Sequence, residues 1–151
     1  MQIFETPLPI DNALPALTAA LSANNCTVLV APPGAGKTTR VPLVLLDQPW
    51  AKDKKILVLE PRRLAARAAA ARMASTLREQ VGDTVGLRVR FGSKVTKRTR
   101  IEVVTEGVFT RLVLDDPSLD GIAAVLFDEF HDRRIIRRGV SRYRIVCGGA
   151  A

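Results

Sequence analysis

Ala31-Pro32-Pro33-Gly34-Ala35-Gly36-Lys37-Thr38-Thr39 follows the apolar run Val28-Leu29-Val30 and precedes a helical pattern. A strand, a glycine-rich turn and a helix in that order form the setting of a phosphate-binding loop. Gly34 and Gly36 allow positive φ, so backbone N–H groups can curl inward into an anion nest. Pro32 and Pro33 have no N–H, so the donors are expected from Gly34 through Ala35, Gly36 and Lys37 to Thr38. The N-terminus of the next helix adds its positive dipole end. Lys37 is expected to reach the β/γ-phosphates and the Thr38 hydroxyl to ligate Mg²⁺, with Thr39 beside it. The strict motif has Gly where this chain has Ala31. The turn-forming and lysine positions are intact.

The chain has 151 residues, 47% of them hydrophobic and 25% charged. That length and balance fit one globular domain with a sizeable core. No apolar run is long enough to cross a bilayer, and Met1–Pro7 lacks the basic and apolar segments of a signal peptide. Cys26 and Cys147 lie far apart without metal-ligand spacing, so a cytoplasmic location is expected, with Cys26 a small core residue. The net charge of +8 is unevenly spread: six arginines follow Asp132, and no acid does. The basicity is therefore mostly local, and it is poor grounds for a nucleic-acid partner.

Asp11 or Asn12 can cap a helix through Leu21. Cys26–Val30 reads as a strand covered on both faces, and Thr38–Leu46 as a helix bent by Pro42. Ile56–Leu59 is a second strand. Arg63–Val81 is a long helix whose stripe is Ala66, Ala70, Met73, Leu77 and Val81, with Gly82 ending it. Val85–Val89 and Ile101–Thr105 are strands joined by the basic loop Ser93–Arg100, which reads as solvated surface. Glu106–Leu114 is a short helix and Ile122–Phe127 a fifth strand. Alternating strands and helices imply an α/β fold, a mostly parallel sheet with helices on both faces. Ligands then gather beyond the carboxyl ends of the strands. Asp128 and Glu129 stand at one such end: one carboxylate can hold the Mg²⁺ shell and its neighbour can orient or deprotonate water. His131 is the one histidine of the chain, and spacing alone gives it no role. Arg62 and Arg63 read first as a solvated helix end.

Asp128-Glu129-Phe130-His131 resembles motif II of the DEAH/DExH helicases, and Ala31–Thr39 with Thr39-Arg40-Val41-Pro42 resembles their motif I and the helix after it. Glu60-Pro61-Arg62-Arg63-Leu64-Ala65-Ala66 is similar to motif Ia, usually written with Gln in place of Glu60. Thr105-Glu106-Gly107 is similar to motif Ib, and Gly86–Phe91 to the strand between Ia and Ib. Within the family the likeness is strongest to the bacterial HrpB type. It implies a RecA-like P-loop NTPase domain over residues 1–132, with ATP and Mg²⁺ as cofactors and Thr38 and Asp128 on the metal. It implies catalytic roles for Lys37, Asp128, Glu129 and His131, the histidine coupling the nucleotide site to the domain interface. Arg62, Arg63, Thr105 and Gly107 would touch single-stranded nucleic acid, with RNA favoured over DNA.

The likeness stops after Asp132. Residues 133–151 form an arginine-rich tail without an apolar stripe, and Ser-Ala-Thr (the family's motif III) occurs nowhere. The expectation is a frameshifted or unrelated tail on a truncated helicase. The motif III strand would then be missing between the strands carrying motifs I and II, leaving their edges unpaired and the fold marginal, unless Tyr143–Cys147 filled the gap. A second RecA-like domain, the expected partner, would supply the arginine that contributes on the order of 10³–10⁵ in rate, so hydrolysis alone should be slow and unwinding absent. Other readings stay open: another P-loop NTPase or kinase, although no Asn-Lys-x-Asp guanine-reading element is present, or a non-catalytic nucleotide-binding fragment.

Overall fold

The computed structural model describes residues 4–128 and the strand at 144–149. In chain order the elements are α1 (Leu14–Ala23), β1 (Cys26–Val30), α2 (Lys37–Leu46), β2 (Lys55–Leu59), α3 (Arg63–Thr76) and β3 (Val85–Val89). Then come β4 (Gly92–Lys94), β5 (Ile101–Val104), α4 (Glu106–Asp115), β6 (Ile122–Phe127) and β7 (Arg144–Gly149). One seven-stranded sheet has the order β1-β7-β6-β2-β5-β3-β4. Every pairing is parallel except β3 with β4. This is the α/β, RecA-like architecture expected from the alternating pattern.

The larger core packs α1, α2 and α3 on one face, around Leu21, Leu43, Leu45, Ile56, Met73 and Ile101. On the opposite face α4 covers β2, β5 and β6 through Leu57, Val104 and Val125, with Phe109 edge-on to Phe127 at 5.5 Å between centroids. Strands β2 and β6 touch both cores, so their side chains are apolar at nearly every position.

Several expectations are corrected. The vacancy between the strands of motifs I and II is not there: β7 pairs with β1 along Cys26–Val30 and with β6 along Ala124–Phe127. Part of the segment after Asp132 thus supplies the strand between β1 and β6, as a backbone ladder needs no particular sequence. Strand β1 is not covered on both faces. It lies at the sheet edge, and its Cys26, Val28 and Val30 are exposed, the valines by 65% and 59%. A continuous apolar run does not tell a central strand from an edge one.

Helix α3 stops at Thr76, five residues early. Arg78 takes the left-handed conformation (φ 57°), Arg78 N–H donates to Ser75 O and Glu79 N–H to Ala74 O, both at 2.9 Å. That is a Schellman ending, and Leu77 and Val81 still pack against the core from the turn beyond it. Gly82 (φ 114°) instead opens the turn into β3. Asp11 is not an N-cap of α1. It sits in a 3₁₀ turn, Pro9–Ala13, where its carboxylate accepts the Leu8 N–H at 2.8 Å. The basic loop after β3 begins with β4, and the buried Thr99 hydroxyl donates to Asp83 O (2.9 Å), which pins the rest.

Candidate nucleotide and nucleic-acid site

The phosphate loop leaves β1 at the carboxyl end of the sheet. Gly34 and Gly36 have φ of 76° and 99°, and Gly36 is the N-cap of α2. The left-handed caps turn the chain sharply enough that α2 starts at Lys37 and aims its N-terminus into the bend. Ala35 is buried, and its N–H donates to Pro32 O at 3.2 Å, so this amide closes the turn inside the loop. Thr39 N–H donates to Gly36 O at 3.2 Å. Ala31, the departure from the strict motif, is buried with its carbonyl accepting from Lys37 Nζ at 2.8 Å. That bond folds the lysine over the loop, so its charge lies where bound phosphates would sit.

Asp128 follows β6, and its N–H donates to Leu59 O at the end of β2. The anchored backbone presents the carboxylate to α2, where the Thr38 hydroxyl donates to Asp128 Oδ2. Lys37, Thr38 and Asp128 open onto one cleft whose apolar floor is Leu29, Val58 and Leu126. Two hard oxygen donors facing each other beside a lysine suit Mg²⁺, which takes few protein ligands and completes its shell with phosphate and water. Among the described residues no group of three His, Cys, Asp or Glu could hold a metal. A phosphate-bound Mg²⁺ requires none. Glu129 and His131 lie outside the described residues.

A wide groove opens on the other side of Thr39 and Arg40, lined also by Phe4, Thr6 and Arg72. Sequence reading missed it, because its walls come from the N-terminal segment and α3, which no spacing links.

The nucleic-acid candidates stand at the same end of the sheet. Strands β2 and β5 are parallel neighbours, so the starts of α3 and α4 emerge side by side. Arg62 caps α3, Arg63 is its first residue, and both are exposed. Thr105 is buried as the N-cap of α4, while Gly107 is exposed with open space where a Cβ would point. Phe91 is 80% exposed, and the guanidinium groups of Arg63 and Arg90 lie 5.7 and 5.2 Å from its ring centroid. Sequence reading gave Phe91 no role, although the Arg90-Phe91 pair was its available signal.

Residues 12–140 match the DEAD/DEAH box helicase family. Over 128 residues the chain is 51% identical to the ATP-dependent RNA helicase HrpB of Escherichia coli K12, covering 85% of this chain and 16% of that protein. It is 36% identical to the ATP-dependent RNA helicase DHX33 of Drosophila melanogaster, again over 85% of this chain and 18% of that one. The solved structure of the E. coli DEAH/RHA helicase HrpB superposes with a TM-score of 0.87 at 43% identity, over 96% of this chain and 20% of that chain. A second, of the E. coli DExH-box NTPase HrpB, gives 0.88 at 41%, over 99% and 20%. The chain therefore spans about a fifth or less of the length of these relatives. With Lys37, Thr38 and Asp128 brought together at the carboxyl end of the parallel sheet, the chain belongs to the DEAD/DEAH box helicase family.

Proposed function

We propose that this chain is the ATP-binding domain of a DEAH-type RNA helicase, holding Mg·ATP at the Ala31–Thr39 loop and a single nucleic-acid strand across the starts of α3 and α4. The observation that carries the reading is the Thr38 hydroxyl meeting the Asp128 carboxylate beside Lys37. Elements far apart in sequence converge there on the donor set that a phosphate-bound Mg²⁺ uses. When bound, Mg²⁺ would neutralise charge developing on the transferring phosphoryl group.

Gly34, Gly36 and the first turn of α2 offer backbone amides to the phosphates, and Lys37 swings from Ala31 O onto them. Thr39 closes the cradle. Glu129 orients or deprotonates the attacking water, and His131 links the site to a second RecA-like domain. The nucleoside occupies the groove beyond Thr39, the concave surface adjoining the loop. Arg62, Arg63, Thr105 and Gly107 hold the strand backbone, and the exposed Phe91 ring near Arg63 and Arg90 offers a stacking surface of the kind single-strand binders use. RNA is the favoured strand, as the relatives' names are those of RNA helicases. Among the described residues no helix is long and apolar enough to cross a membrane, and the cytoplasm is the proposed location.

Residues 1–151 assayed on their own, with no second domain's arginine in the assay, are expected to hydrolyse ATP slowly and not to unwind a duplex. Steady-state ATPase assays with and without single-stranded RNA, beside Lys37→Ala and Glu129→Gln, test the reading. It predicts slow RNA-stimulated turnover lost in both variants. Mg-dependent nucleotide binding without turnover would favour a non-catalytic module instead.

A further inference from the structure

The N-terminal segment from Phe4 to Ala13 crosses the phosphate loop and is fixed to it at several points. Ile10 N–H donates to Ala35 O at 3.2 Å. Leu8 Cδ1 and Ile10 Cγ2 lie 2.6 and 3.3 Å from where a Cβ on Gly36 would stand, so the segment packs directly on the loop's backbone. Arg40, in the first turn of α2, is only 7% exposed and turns back onto the same segment. Its guanidinium donates to Thr6 O, lies 3.7 Å from Asp11 Oδ1 and stacks 3.8 Å from the centroid of the Phe4 ring. Asp11 also holds the segment's own bend through the Leu8 N–H.

Burying a guanidinium is costly unless charge, hydrogen bonds and an aromatic face are all supplied, and here one short segment supplies all three. The loop it covers contains two left-handed glycines, the residues that lose most conformational freedom when ordered. A loop already ordered before the phosphates arrive binds them with less entropic cost.

We infer that Phe4–Ala13 is a brace that pre-shapes the phosphate loop, with Arg40 as the positioning residue that latches it. Its effect on affinity rests on the nucleotide reading above; the brace itself does not. The test compares the full chain with Leu8→Ala and Arg40→Lys, with Arg98→Gln as a control. The Arg98–Asp83 pair (3.6 Å) lies outside both the segment and the groove, and with Arg98 exposed it contributes little.

Amide hydrogen exchange in nucleotide-free protein should speed up about tenfold over residues 34–38 in Leu8→Ala and Arg40→Lys, with α3 unchanged. The Kd for Mg·ADP should rise about tenfold in the same two variants, and Arg98→Gln should match the parent. Loop exchange as in the parent, or α3 accelerating in step with the loop, overturns the brace. Faster loop exchange at unchanged affinity overturns the positioning role. Should Arg40→Lys not fold, Leu8→Ala decides alone. If the parent itself fails to bind Mg·ADP, the nucleotide reading falls and the exchange comparison still decides the brace.

Discussion

Gly36 carries two constraints at once. Its φ of 99° is a conformation that side chains disfavour, and Leu8 and Ile10 occupy the space a Cβ would need. Gly36→Ala should therefore cost about 1–2 kcal/mol in a urea unfolding titration, since the left-handed penalty adds to displacement of Leu8. A substitution within a few tenths of a kcal/mol of the parent would contradict that account. Gly36, Lys37, Thr38 and Asp128 were readable from sequence because the residue types themselves encode the chemistry: a turn, a cation and two hard oxygens. Arg40 was not readable in the same way. Nothing in Thr39-Arg40-Val41-Pro42 says that the guanidinium turns back on Phe4 and Asp11 rather than out to solvent. Cys26 was misread as core because a small apolar residue in an apolar run looks alike on either face of an edge strand.

Elements were legible where burial imposes a period, and their ends were less so. The stripe Ala66, Ala70, Met73, Leu77 and Val81 does face the core, but its last two members reach it from a turn. Apolar spacing reports the face and not the hydrogen bonding, so the Schellman ending at Arg78 left no trace in the pattern. Arginine is a poor occupant of that left-handed position, and its partner Glu5 is a surface pair of small value. Arg78→Gly should stabilise the chain by about 0.5–1 kcal/mol in chemical unfolding, relief of the backbone penalty exceeding the extra entropy of glycine in the unfolded state. Destabilisation would mean that Arg78 contributes contacts beyond its backbone strain. The edge strand β4 was hidden for a related reason. Its three residues are all exposed, so no alternation marks them.

At the scale of the molecule, the parallel α/β sheet was readable from the alternation of apolar runs and helices, whereas strand order was not. Between β1 and β6 the sheet requires one more strand, and Arg144–Gly149 takes the place through backbone pairing on both edges. A ladder of N–H and C=O groups is satisfied by any extended segment, so absence of the family's motif III wording did not mean absence of a strand. In the resulting order β6, which leads into Asp128, neighbours β2, and β2 and β5 lead into Arg62, Arg63, Thr105 and Gly107, while β1, which leads through the loop into Lys37 and Thr38, stands beyond β7. Nucleotide and nucleic-acid candidates thus share one end of one sheet. The proposed function requires this end of the sheet to bind Mg·ATP. Equilibrium titration of the full chain with a fluorescent ATP analogue, in Mg²⁺ and in EDTA, beside Lys37→Ala, is the decisive measurement. Binding should be saturable and Mg²⁺-dependent, and weakened about tenfold or more in Lys37→Ala, the loss of a charge-assisted contact. Absence of binding, or equal affinity in Lys37→Ala, would contradict it.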